Sequence, residues 1–442
     1  MTLVLLIITF VLQFLLGTGI LRLAGLPKSR IQGISLAVLT GFGASTFVLF
    51  IMACTNVPIT PVYWMAFLIL ATAGVNIAFR KKGLLPESWI NRPLVITGYE
   101  LVVILSFGLI LVMALWRSYY YPVTTRDAIV GMDLVAKWAV KDHTLVSGVF
   151  TSPHLNGQLS NQPFYAPFTT LMQIIYLMTG LAFGKLWVGL MTVAFFAYLY
   201  ARLRLSCHPV LAGALIIFLM CMPGMHPYFY LMLTDWPNAI FFCIGAILWY
   251  DAQKTQNGSG YILAGIMLAM ACWARAETLF FVTAGILTFP WITKTEHRLK
   301  GIGWIWLPSV ISFLLWNVLF VYGYLPVQPE MPLGSTGNIV DAGISLISQV
   351  VFNPIHFAYA PHVFLLLIAL EWIMHPRTAA WNGLLWIPIL LIGYMIIVAM
   401  IPAATIENTV KRGLFKLFPL VAFYLAESQL FAGLSKRLKQ WG

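Results

Sequence analysis

"YILAGIMLAMACWARAETLFFVTAGILTFPWI" (residues 261–292) carries two charges, Arg275 and Glu277, in an otherwise oily run. As a single helix it would reach about 48 Å at a rise of 1.5 Å per residue. The hydrocarbon core of a bilayer is only about 30 Å thick. The stretch is therefore read as a hairpin of two short helices, 261–273 and 278–291, with its turn at Arg275–Glu277.

The rest of the chain supports that reading. Its 442 residues are 60% hydrophobic and 9% charged, with a mean hydropathy of +0.88. Soluble domains are about half apolar and a quarter charged. The fold class is all-α: a polytopic transmembrane helical protein with about 12–14 membrane segments. A transmembrane barrel would show short alternating strands instead. Besides the hairpin, spans are expected at 3–22, 31–52, 62–79, 98–116, 183–201, 209–222, 235–250, 303–322, 361–374, 384–402 and 412–431, with extra apolar segments at 164–179 and 344–359. The first apolar run has no basic residue ahead of it and reads as a retained span.

The net charge of +12 comes from short basic clusters between spans. That pattern argues for cytoplasmic loops under the positive-inside rule and against nucleic-acid binding. Arg22, Lys28 and Arg30 form one cluster. Arg80, Lys81, Lys82 and Arg92 form the next, followed by Arg202 with Arg204, Lys294 with Arg298 and Lys300, Arg377, and the tail Lys436, Arg437 and Lys439. With these inside, the N-terminus lies outside, the C-terminus inside, and loop 117–162 is extracytoplasmic. An odd number of crossings must then separate residues 163 and 204, so 164–179 dips or lies along the interface. Lys411, Arg412 and Lys416 break the pattern, because they sit at an outward-facing end. The five cysteines form no CxxC and the histidines no HxH or HxxxH pair, which leaves no disulfide or zinc signal.

Within the outer loop, "TTRDAIVGMDLVAKWAV" (124–140) gathers acids in a chain that has few. Thr124 followed by Asp127 resembles a capping box. Ile129, Met132, Ala136 and Ala139 fall on one helical face, expected to lie on the membrane surface. Asp133, Lys137 and Lys141 fall on the opposite face. Two readings stand side by side: Asp127 caps the helix and Asp133 pairs with Lys137, or Asp127 is a general base on an outward-facing amphipathic helix. Arg275 either pairs with Glu277 at the hairpin turn or binds an anionic head group, since guanidinium suits phosphate. Asp235, opening a span in "YLMLTDWPNAIFF" (230–242), is either a cap or a cavity residue. Tyr165 lies in "SNQPFYAPFTTL" (160–171), where Pro163 and Pro167 set the entry angle of the dipping segment. Asp127, Asp235 and Glu277 are also oxygen donors of the kind a divalent metal takes.

Five of these stretches together resemble membrane glycosyltransferases of the GT-C fold, especially bacterial proteins of the dolichyl-phosphate-mannose–protein mannosyltransferase type. They are "RDAIVGMDLVAKWAV", "NQPFYAPF", "YLMLTDWPNA", "ACWARAETL" and "NTVKRGLFKLFPL", in family order from about residue 98 to 432. Ala274 and Ala276 stand where the family more usually has Thr and Pro. The resemblance implies a GT-C-like core at 98–442, including the outer loop and its amphipathic surface helix, preceded by additional transmembrane helices at 1–97. It implies a bacterial inner membrane and an extracytoplasmic active site. The activity implied is inverting transfer of a sugar from a polyprenyl-phosphate donor to a glycan, lipid or protein acceptor. Asp127 would be the base, and Arg275, Arg412 and Lys137 would bind the donor phosphate. Asp235, Tyr165, Glu277 and Asp133 would line the acceptor side. A transporter or flippase of lipid-linked saccharide is the alternative, as is a non-catalytic partner subunit with the same fold.

Overall fold

A computed structural model describes residues 2–25, 29–78, 97–156, 161–292, 301–329, 338–376, 384–401, 404 and 406–439. Those residues form helices and connecting turns, with no strand among them. Of the basic residues that set the expected orientation, Lys28, Arg80, Lys81, Lys82, Arg92, Lys294, Arg298, Lys300 and Arg377 lie outside the described residues.

The first helices are α1 (Thr2–Ala24), α2 (Arg30–Cys54), α3 (Pro61–Ala78) and α4 (Gly98–Tyr120). The outer loop carries α5 (Asp133–Asp142) and leads to α6 (Phe168–Met178). Next come α7 (Leu186–Leu203), α8 (Pro209–Met220), α9 (Asp235–Thr255), α10 (Gly258–Ala274) and α11 (Thr278–Ile292). The chain ends with α12 (Ile302–Gly323), α13 (Ile339–Val351), α14 (Ala360–Met374), α15 (Trp386–Met400), α16 (Lys411–Glu427) and α17 (Gln429–Lys439). The hairpin turn falls at Arg275–Glu277, between α10 and α11, as its length and charges required.

Among the described residues, six helices are long and apolar enough to cross a membrane: α1, α2, α3, α4, α7 and α12. The chain is therefore an integral membrane protein. Most other apolar segments form shorter helices, and α16 meets α17 at a 61° bend. With 11 residues, α6 covers about 17 Å, too little for a hydrocarbon core of about 30 Å. Lys185, at the start of α7, lies over the ring of Tyr121, just past the end of α4. Both helix ends therefore meet at one level, and α6 does not cross between them.

The core is α9 against α10 and α10 against α12, with α2 packed on α7 and α6. Trp187, Trp236, Trp273 and Trp316 are fully buried there. By contrast α4 exposes Leu101, Val102, Leu105, Leu109, Val112 and Met113 along one flank. An apolar face of that extent belongs against lipid tails. Helices α1 and α2 approach backbone to backbone at Gly17 and Gly41. A Cβ on Gly17 would overlap the Ala37 carbonyl, and one on Gly41 would overlap the Gln13 carbonyl. Gly41→Val should force the pair apart at a cost of about 1–3 kcal/mol, the range for overpacking. It should lower the thermal unfolding midpoint in detergent. An unchanged midpoint would mean that the helices separate freely.

The charges collect at two levels. Asp235 and Asp251 lie at opposite ends of α9, about 24 Å apart at 1.5 Å per residue. At the Asp251 level, Arg202 pairs with Asp251 at 2.6 Å and Glu427 at 2.9 Å, and Arg204 reaches Glu100 at 3.0 Å. These bonds tie α4, α7, α9 and α16 together at the end that also holds the basic helix α17. The second collection surrounds Asp235.

The outer loop departs from expectation in two ways. The helix begins at Arg126, and the Ala128 and Ile129 N–H groups both donate to the Thr125 carbonyl. Asp127 is thus in the first turn and does not cap, because Thr125 occupies the cap position. A π-helical turn over Ala128–Met132 then joins α5. The apolar face of this segment does not lie on lipid either. Met132, Ala136 and Ala139 are buried, with α5 packed on α6, while Ile129 is 49% exposed.

Candidate active site

Six charged side chains alternate in sign around the start of α9. Arg412 donates through Nη1 to Asp127 Oδ2 at 2.7 Å and lies 3.5 Å from Asp235 Oδ2. Arg275 donates to Asp235 Oδ1, and its Nε lies 2.8 Å from Glu277 Oε1. Lys416 follows, 3.7 Å from the same Glu277 oxygen, and donates to Tyr394 Oη at 2.7 Å. The order is Asp127, Arg412, Asp235, Arg275, Glu277, Lys416, with three charges of each sign.

Each element delivers its member for a local reason. Thr125 Oγ1 donates to the Met232 carbonyl at 3.3 Å, which holds the outer loop beside the approach to α9. Asp235 sits in the first turn of α9, where the helix dipole favours a carboxylate. The break between α10 and α11 presents Arg275 and Glu277 from one turn. Arg412 and Lys416 are four residues apart on α16 and share a face. Lys416 is otherwise enclosed by the rings of Phe242, Phe281 and Tyr394.

A cavity of about 440 Å³ opens onto this network, lined by Thr125, Arg126, Asp127, Gln162, Tyr228, Leu233 and Arg412. Its size falls in the small-molecule range, about 300–1,000 Å³. Burial, then the nearby Asp235 carboxylate, pushes the Tyr228 phenol up to about 12. Burial, then Asp127, also raises Tyr165. Both phenols therefore keep their protons at neutral pH and can donate them in hydrogen bonds. Gln162 Oε1 is buried with no hydrogen-bond partner among the described residues.

Of the residues singled out from sequence, Asp127, Asp235, Arg275, Glu277 and Arg412 come together, and Tyr165 lies within their field. Only Asp127 and Arg412 among them line the cavity. Asp235, Arg275 and Glu277 form the layer behind. Lys137 and Asp133 are not part of the constellation. Lys137 is 61% exposed and pairs with Asp133 at 2.7 Å, and Asp133 accepts from Gln173 on α6. Asp133 is therefore held in the α5–α6 contact and does not line the cavity. The carboxylates also do not gather as a metal site. Each meets a guanidinium or ammonium, and no group of three metal-ligating side chains forms among the described residues. Sequence reasoning marked Lys416, with Lys411 and Arg412, as out of pattern without assigning it to the site, and left out Tyr394, Tyr228 and Gln162. Lys416 was legible as Arg412's neighbour one turn on.

No protein-family model, curated protein or solved structure matches the chain. Fold and site together define an integral membrane protein whose broken helices carry an alternating ionic network to the wall of a small-molecule cavity.

Proposed function

We propose that this protein is an inverting membrane glycosyltransferase with a GT-C-like core, taking its sugar from a polyprenyl-phosphate donor on the extracytoplasmic face of a bacterial inner membrane. One observation carries the reading: Asp127 and Arg412, paired at 2.7 Å, share the wall of the cavity at the end of α9 opposite the basic helix α17. An acceptor hydroxyl hydrogen-bonds to the Asp127 carboxylate. As its oxygen bonds to the anomeric carbon, its proton passes to Asp127 and the bond from that carbon to the phosphate oxygen breaks. The electron pair leaves with the lipid phosphate.

The alternating network suits that step. At rest Arg412 is matched by carboxylates. When Asp127 takes the proton its negative charge disappears, and the network gains one net positive charge as the departing phosphate gains a negative one. Stabilisation that appears only in the transition state accelerates the reaction. The Gln162 amide and the Thr125 and Tyr228 hydroxyls are the groups in reach of sugar hydroxyls. The acceptor, whether glycan, lipid or protein, enters from the same side.

The test is turnover of radiolabelled polyprenyl-phosphate sugars by the purified protein with membrane-extract acceptors. Turnover that disappears in Asp127→Asn supports sugar transfer. Sugar-lipid translocation in proteoliposomes, equal in parent and variant and without turnover, would establish a flippase instead. Turnover only after a second subunit is added, with Asp127→Asn still active, would make this chain the partner subunit.

A further inference from the structure

Two basic groups at the same end of the bundle lack what the network's cations have. Arg275, Arg412 and Lys416 all meet carboxylates. Lys185 is 1% exposed, and its ammonium donates to the Tyr230 carbonyl at 3.0 Å and lies over the rings of Tyr121 and Tyr230. Arg117 donates to Tyr230 Oη at 3.0 Å, and its guanidinium lies 5.0 Å from the same ring centroid. Neither cation has a carboxylate partner among the described residues.

Burying a charge without a counter-charge is costly, so buried cations normally pair. Here the arrangement works against a lone lysine. Lys185 sits at the N-terminus of α7, where the helix dipole adds positive potential. His226, whose ring lies 6.3 Å from that of Tyr230, is lowered by burial and by the Arg117 charge. Burial pulls the Lys185 ammonium down to about 8. A phosphate between the two cations would supply the missing charge, with the α7 N-terminus behind it.

The surroundings indicate where that phosphate comes from. Arg117 lies in the last turn of α4, the helix with the long lipid-facing flank. Trp116, Tyr119, Tyr120 and Tyr121 around it are all exposed. Exposed Trp and Tyr at a span end mark the head-group level of a membrane. We propose that Arg117 and Lys185, joined through Tyr230, form a binding site for the phosphate of a membrane-embedded amphiphile. Tyr230 is two residues along the chain from Tyr228 of the cavity wall, but Arg117, Lys185 and Tyr230 do not line that cavity. The site is separate from the network that contains Asp127, and the inference does not depend on sugar transfer.

Dodecyl phosphate is a suitable probe, titrated onto the purified full-length protein in uncharged detergent and followed by its thermal midpoint and by native mass spectrometry. The parent should bind it, and Arg117→Gln should weaken binding by about tenfold or more, the loss of one charge-assisted contact. Arg117→Lys, which keeps the charge, should retain most of the affinity, and Lys137→Gln, which removes an exposed cation away from both sites, should bind as the parent does. Arg117 is only half-buried, so these variants should fold even if Lys185→Gln does not. Equal affinity in parent and Arg117→Gln would overturn the proposal, as would an equal loss of binding in Lys137→Gln. Competition by inorganic phosphate at equal concentration would also overturn it, because the site would then recognise a free anion and not a lipid.

Discussion

Asp127→Asn is expected to lower sugar transfer by about 10²–10⁴-fold, the usual worth of a positioned general base, while donor binding stays the same or tightens. The substitution keeps the side chain's shape. Its carbonyl oxygen can still accept from Arg412, and the parent side chain is 22% exposed, so the loss of charge is eased by water. What the amide cannot do is take the acceptor's proton. It also leaves the network one positive charge in excess before any donor arrives, which favours an anionic donor in the ground state. The signature is a fall in kcat with KM for the donor unchanged or lower. A residue that only shapes the cavity would raise KM and leave kcat nearer its parent value. Full turnover in the variant would remove Asp127 from the chemistry.

The parts legible in the sequence were those governed by length and local charge. A run too long for one crossing, broken by Arg275 and Glu277, had to turn there, and it does. The short α6 had to stay at one level because the charges on either side allowed a single crossing. The individual members of the site were also visible, since ionised groups in an oily chain are expensive and conspicuous. Their connection was not. Asp127 and Arg412 are 285 residues apart in sequence, and no local pattern encodes a pairing at that distance. The outer helix was misread for two physical reasons. A periodicity of 3.6 takes no account of a π-helical turn, so Ile129 was wrongly aligned with Met132, Ala136 and Ala139. An apolar stripe looks the same whether it meets lipid tails or another helix, so the burial of Met132, Ala136 and Ala139 against α6 could not be told from a membrane-surface face.

Asp235→Asn should cost the most stability of any single change in the network, about 3 kcal/mol, near the lower end for breaking a buried ion pair. The Asp235 side chain is 2% exposed and serves both Arg275 and Arg412. Removing its charge takes one carboxylate from Arg275, which keeps Glu277, and one from Arg412, which keeps Asp127, so two guanidiniums face each other across a neutral amide. Because Arg275 retains one partner, the loss should not reach the top of the range. The thermal inactivation midpoint in detergent reads the effect, and a second substitution separates charge from packing. Arg275→Gln removes the cation that Asp235→Asn leaves unmatched, so the double variant should lose less than the two single variants added together, with a coupling of about 0.5–3 kcal/mol. Additive losses would mean that Asp235 and Arg275 act independently. The same cycle made with Arg412→Gln should show weaker coupling, because that contact is 3.5 Å and Arg412 is shared with Asp127. That ranking follows from the alternating order of the charges, in which Asp235 is the link between the cavity wall and the helix break behind it.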